Sequence, residues 1–223
     1  MGNITIFAGG FGSGKTEIAL NFAIDRAREV KGVVLADLDI INPYFVSRDV
    51  KTELQENGIR LIAPGGELAF GDVPNIPAEI IGLIKQENDM VIDLAGDESG
   101  ALILGYLNEY ITDRQNYDLY MVLNPYRPFS SDLESVMELK NMLERTSRIK
   151  FNGIISNPNL VEESNIDVIV DGHLKVLGFG KWLNLPVKYL TVEQQFYQQL
   201  FPKYGELLKG IKIYLRPDWL RGC

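Results

Sequence analysis

The sequence predicts a three-layer α/β fold, a mostly parallel central sheet with helices on both faces. Three observations carry that reading. Short apolar, β-rich runs alternate with amphipathic segments of helical period along most of the chain. The first such run passes straight into a glycine-rich turn and then a helix. Polar or glycine-bearing residues follow the candidate strands at their C-terminal ends, the edge where sheets of this type bind ligands.

In order, residues 4–8 read as a buried strand, and residues 15–30 as a helix with Ile18, Ala19, Phe22, Ala23 and Ala27 on one face. A second strand covers 33–36 and ends at Asp37-Leu38-Asp39. A loop through Asn42, Pro43 and Tyr44 leads to a helix over 47–57, stopped by Gly58. Residues 59–62 form a short strand. The Gly/Pro-rich stretch 64–77 is long for a plain connection and reads as a functional loop or a packed insert. A helix over 78–86 precedes the strand 90–93, and a helix over 99–112 precedes the strand 117–123. Ser130 or Ser131 then caps a helix running to 145, with Asp132 and Glu134 suited to its first turn. Residues 151–156, 165–183 and 186–190 complete the rhythm as strand, helix and strand. One domain over 1–223 is expected, with a core over 3–190 and an aromatic, basic extension over 200–223 that shows little period.

A net charge of −8 leaves no basic footprint for nucleic acid or acidic lipid, although a local basic patch is compatible with it. One cysteine, Cys223, and one histidine, His173, exclude disulfide scaffolds, Cys-x-x-Cys chemistry and Cys/His metal cages within one chain. No apolar run approaches the ~20 residues needed to cross a bilayer, and no basic-then-apolar leader opens the chain. These features read as a cytoplasmic protein.

Gly9, Gly14, Lys15 and Thr16 satisfy the phosphate-loop pattern G-x-x-x-x-G-K-[ST]. Its glycines let backbone N–H groups converge on an anion, and the helix behind offers its positive end. Gly10, Phe11, Gly12, Ser13, Gly14, Lys15 and Thr16 are therefore expected to cradle the phosphates of ATP or GTP. Lys15 would reach the β and γ oxygens, and the Thr16 hydroxyl would hold Mg²⁺. Carboxylates at strand ends supply the remaining needs of such a site. Asp93 is expected on the metal side, with Asp37 as a further metal-side candidate. Asp39 is expected to orient the attacking water. Turn chemistry alone also favours Asp at strand ends.

The glycine-rich loop, Val34-Leu35-Ala36-Asp37-Leu38-Asp39 and Val91-Ile92-Asp93-Leu94-Ala95-Gly96 together resemble the CobQ/CobB/MinD/ParA group of P-loop nucleotide-binding domains. The resemblance spans residues 3–190 and implies a P-loop fold of the SIMIBI layout, Mg²⁺-dependent ATP hydrolysis and, in many members, a nucleotide-sandwich homodimer. One position departs from it. MinD and ParA carry a signature lysine at the second loop position, where this chain has Gly10. The resemblance then shifts towards members without that lysine, such as synthetases of the dethiobiotin type.

Asn157-Pro158-Asn159 follows a strand where relatives place a purine-reading Asn, and it lacks the Lys and Asp of the guanine-reading pattern. An amide at Asn157 pairs with adenine N6 and N7, so ATP is expected ahead of GTP. The loop 42–45 with Arg48 stands where relatives sense the nucleotide, and 124–129 should line the same face with two aromatics and Arg127. His173, among Val170, Leu174 and Leu177, reads as a packed helical histidine rather than a catalytic one. Three functions stay open: an ATPase driving a partner or a self-dimer, an ATP-dependent synthetase or kinase, and a nucleotide-regulated binding module.

Overall fold

A computed structural model of the chain describes residues 2–39, 48–63 and 79–215. In order the elements are β1 (Ile4–Ala8), α1 (Lys15–Glu29), β2 (Val34–Leu38), α2 (Arg48–Glu56), β3 (Arg60–Ile62), α3 (Glu79–Lys85), β4 (Met90–Leu94) and α4 (Glu98–Asp113). There follow β5 (Tyr117–Leu123), α5 (Leu133–Ser147), β6 (Gly153–Ser156), α6 (Ile166–Leu183), β7 (Val187–Glu193), α7 (Gln194–Tyr204) and β8 (Leu208–Ile211). The strands form one sheet in the order β3-β2-β4-β1-β5-β6-β7-β8, and every neighbouring pair is parallel. The expected loop 42–45, the Gly/Pro-rich stretch 64–77, the side chain of Arg48, and Arg216, Trp219, Arg221 and Cys223 lie outside the described residues.

Strand alternation divides the core between the two sheet faces. Ile4, Ile6 and Ala8 of β1, with Val34, Ala36 and Leu38 of β2, pack on α3, α4, α5 and α6. Phe7 and Leu35 point the other way, into a cluster with Ile18, Leu20 and Ala23 of α1 and Val50 and Leu54 of α2. A third cluster under α7 gathers Ile169, Leu190, Val192, Leu200 and Leu208. Sheet strands buried on both faces explain why their sequences read as continuous apolar runs.

Two expectations are corrected and one is met. The α5 cap is Asp132, whose side chain accepts from Ser135 N at 2.9 Å. Ser130 belongs to a preceding 3-10 turn, Pro128–Ser130, and Ser131 follows that turn. The strand end expected at Asp37-Leu38-Asp39 is found there: β2 runs to Leu38, with Asp37 inside the ladder. Among the described residues the extension from 200 has regular structure after all: α7 runs to Tyr204 and β8 adds a strand at the sheet edge, while β7 extends to Glu193.

Along the strand order the connection from β1 runs one way, to β2, and that from β5 runs the other way, to β6. The reversal between these adjacent strands opens a crevice at their C-terminal ends, the usual ligand position in such sheets. The loop after β1 is the glycine-rich turn, and the loop after β5 is 124–130.

Candidate functional site

The turn between β1 and α1 needs glycine where the chain turns hardest. Gly12 (φ 75°) and Gly14 (φ 90°) sit in the left-handed region, and a Cβ at Gly14 would overlap the Asn157 amide. Gly14 also stands at the N-cap of α1, so the free N–H groups of the first helical turn face the loop. Lys15 is only 7% exposed, and its Nζ donates to Gly10 O at 3.3 Å across the loop mouth. The Ser13 hydroxyl is buried with no partner among the described residues.

Asp37 and Asp93 are register partners across β2 and β4, and Asp93 is opposite Phe7 of β1. This row of the sheet lies directly beneath the loop. Burial pushes the Asp37 carboxyl up to about 6, with the Asp39 backbone N–H (3.1 Å from Asp37 Oδ1) opposing and the Asp39 charge adding to the rise. Burial pushes Asp93 further, to about 7, against the pull of Lys15 and the Thr16 hydroxyl. Asp93 is 2% exposed, and neither carboxylate oxygen has a partner of hydrogen-bonding geometry among the described residues. Thr16, Asp37 and Asp93 border one small cavity of about 10 Å³, whose remaining wall is the aliphatic side chains of Ala19, Leu20, Leu35 and Leu61.

Those features test the site for a divalent cation, and they fit it. Two oxygens left without partners in a buried carboxylate are costly unless something positive completes them. Among the described residues no three His, Cys, Asp or Glu side chains form a closed metal cage. A cation held by Thr16 and approached by Asp93 and Asp37 fits a site that takes its other oxygens from water and phosphate.

On one side of the loop, a cavity of about 700 Å³ is lined by Lys15, Asp39, Phe11, Gly96, Phe129 and Glu138, among others. Gly96 packs so closely that a Cβ there would overlap Gly9 O. A Cβ at Gly10 would come 2.5 Å from the Phe129 Cβ, so the 124–130 loop closes the space a side chain at position 10 would need. Within that loop the aromatics diverge. Tyr126 turns away to donate to Val168 O at 2.6 Å, whereas Phe129 and Arg127 cover the glycine-rich turn. Asn124 ties this loop to the one after β6, donating to Asn159 O at 2.8 Å.

On the other side, a slot of about 310 Å³ runs from Gly12 and Gly14 past Asn157, Asn159 and Arg127 to Ile211, Ile213 and Leu215. Asn157 supports the loop directly: its Nδ2 donates to Ser13 O at 2.8 Å, and its Oδ1 accepts from Thr191 Oγ1 at 2.9 Å. The amide retains a second N–H and a second lone pair. Val161, also lining the slot, holds φ 59°, a strained conformation for a β-branched residue. His173 lies away from this site, buried against Tyr204 with Nδ1 3.0 Å from Ser156 Oγ.

The strand-loop-helix geometry, the parallel sheet and the row of acidic strand ends define the α/β P-loop fold. Solved structures agree at the level of fold. Cell division protein FtsY from Thermotoga maritima matches with a TM-score of 0.58 at 17% identity, over 87% of this chain and 63% of that one. Chloroplast FtsY from Physcomitrella patens gives 0.56 at 15%, over 85% and 58%. The signal recognition particle 54 kDa protein from Aeropyrum pernix, solved with GDP, gives 0.51 at 20%, over 84% and 41%. The chain thus spans less than two thirds of the length of these proteins. No family model matches the chain, and no curated protein matches it.

Gly10 through Thr16, Asp37, Asp39, Asp93 and Asn157 therefore all gather at one end of the sheet. Sequence reasoning missed Glu17, Asn21 and the 211–215 segment. The only available signal was the alternation of Ile211, Ile213 and Leu215, which is short and follows a glycine.

Proposed function

We propose that this chain is a P-loop nucleoside triphosphatase that binds Mg·ATP and hydrolyses it, coupling the step to a partner protein or a second copy. The observation carrying this reading is the gathering of Lys15, Thr16, Asp37 and the buried Asp93 carboxylate, with neither of its oxygens in hydrogen-bonding geometry among the described residues, at the glycine-rich loop. Lys15, held across the loop mouth, screens charge on the β and γ oxygens. Asp39 lines the cavity beside Lys15 and orients a water for in-line attack. Backbone N–H groups of 10–16 neutralise the phosphates without reorganising. When bound, Mg²⁺ supplies Lewis-acid stabilisation of the β- and γ-phosphate oxygens.

ATP is preferred over GTP because the slot offers Asn157 and Asn159 and no Lys-x-Asp pair after β6. The GDP in the Aeropyrum pernix protein belongs to that protein. Phe129 over Gly10 supports a site working without a lysine from that loop position. A second reading has its own observation. The 700 Å³ cavity beside Lys15 and Asp39 is roomy enough for an acceptor other than water, as in a synthetase or kinase.

Release of ADP and phosphate by the purified chain, with and without Mg²⁺, tests both readings. Steady Mg²⁺-dependent release without acceptor supports hydrolysis, and Lys15→Ala is expected to abolish it along with nucleotide binding. Binding without release, cured by an added acceptor, would favour the second reading. Retained binding by Lys15→Ala would sink the site altogether. Competition between ATP and GTP for the same site settles the base.

A further inference from the structure

Beyond β8 the chain leaves the sheet and is held by two side chains of α1. Asn21 exchanges two hydrogen bonds with Lys212, donating Nδ2 to its O and accepting from its N, both at 2.8 Å. Glu17, the residue after Thr16, accepts from Tyr214 N at 2.9 Å and from Leu215 N at 2.6 Å. An extended chain so held alternates its side chains. Lys212 and Tyr214 face α2, where both reach the Glu53 carboxylate, at 3.0 Å in each case. Ile211, Ile213 and Leu215 line the slot that begins at Gly12 and Gly14, and Leu215 also packs against the cluster that holds Tyr214.

Opposite that aliphatic row stand Asn157, Asn159 and Arg127, whose buried Nε has no partner among the described residues. An aliphatic row, amides and a glycine-rich turn at one end, with Glu17 and Glu193 also on the lining, suit a purine attached to a phosphate chain. We infer that the 211–215 segment is the closing wall of the nucleobase slot and that Glu17 is the positioning residue that latches it to the phosphate loop. The slot is then built from segments 197 residues apart in sequence. Base recognition and phosphate recognition meet at consecutive residues, because Thr16 sits at the cation cavity and Glu17 holds the wall. This rests on the reading of the loop as a nucleotide phosphate site.

Two variants of the full chain test it, Glu17→Gln and the double variant Ile213→Ala/Leu215→Ala, each titrated with Mg·ATP and with inorganic tripolyphosphate plus Mg²⁺. Tripolyphosphate fills the phosphate cradle and leaves the base slot empty. Both variants are expected to bind ATP about tenfold more weakly while tripolyphosphate affinity moves less than about twofold. Glu17→Gln keeps the segment's apolar residues, so it guards against a double variant that fails to fold. ATP affinity unchanged in a folded variant overturns the wall. Parallel loss of both probes overturns it too, since the segment would then act through the loop rather than the base. If the unaltered chain binds neither probe, the nucleotide reading falls and this inference with it. If it binds tripolyphosphate as tightly as ATP, the slot contributes nothing and only the inference falls.

Discussion

At the scale of single residues, the site stores unfavourable free energy in two places. The first is Asp93. Its carboxyl is raised from 3.8 to about 7, chiefly by burial. A carboxyl raised in the folded state leaves the fold most stable below its unfolded pKa and loses that stability as pH climbs through the folded one. The window is pH 3.8 to 7, and 1.36 kcal/mol per unit sets a ceiling of about 4 kcal/mol. Asp93→Asn should therefore stabilise the ligand-free chain at pH 8 and leave it nearly unchanged below pH 4. Urea unfolding at both pH values measures this, and Mg²⁺-dependent nucleotide binding should fall in the same variant. Equal effects at the two pH values would mean that the charge is not the source. The second place is Val161. Its φ of 59° is held by Asn159 Oδ1, which accepts from Val161 N at 2.7 Å, while Ser164 Oγ accepts from Leu160 N at 2.8 Å. Asn tolerates this region far better than a β-branched side chain. Val161→Asn is expected to raise unfolding free energy by about 1 kcal/mol, read from the shift in denaturation midpoint at unchanged slope.

At the scale of elements, α6 carries the clearest pH dependence outside the site. His173 is 1% exposed, between Ser156 at the end of β6 and Tyr204 at the end of α7. Burial, with a smaller push from Lys203, lowers it from 6.5 to about 4. A depressed histidine favours the neutral form in the fold, so its share of stability is complete above pH 6.5 and lost as pH falls towards 4. The ceiling is about 3 kcal/mol. His173→Asn keeps an acceptor near the Ser156 hydroxyl and removes the titration. Its stability relative to the parent should rise as pH drops from 6.5 to 4, and a flat difference would refute the assignment. Elements also show what the sequence could express. Strands β1, β4 and β5 were legible because most of their residues are buried and apolar, the polar ones being Thr5, Asp93 and Asp118. Helices α1 and α6 were legible from their apolar spacing. β8 was not, being a four-residue edge strand containing Gly210, and the segment after it bonds to the side chains of Asn21 and Glu17 rather than to a neighbouring strand. The meeting of Thr16, Asp37 and Asp93 followed from motif spacing plus a parallel sheet. The packing of Phe129 on Gly10 depends on a loop conformation that no local pattern encodes.

At the scale of the whole molecule, the site lies on the seam between two cores. The glycine-rich loop joins β1, whose alternate residues feed both apolar clusters, to α1, which belongs to only one of them. The 124–130 loop approaches from β5, and the 211–215 segment crosses from the far sheet edge to α1 and α2. A ligand bridging these three supports stabilises contacts that no single cluster provides. Binding to the folded form alone adds RT ln(1 + [L]/Kd), about 2.7 kcal/mol at a hundredfold excess over Kd. In a chain of this size each kcal/mol moves Tm by roughly 2–4 °C, so saturating Mg·ATP should raise Tm by about 5–10 °C. A nucleotide held at that seam would touch both cores, so the whole unfolding transition should move as one. Calorimetry of the chain with Mg·ATP, with Mg²⁺ alone and with Lys15→Ala plus Mg·ATP provides the comparison. A shift confined to part of the transition would show that the two cores unfold separately and that the seam does not couple them. A full shift in Lys15→Ala would place the nucleotide elsewhere on the molecule.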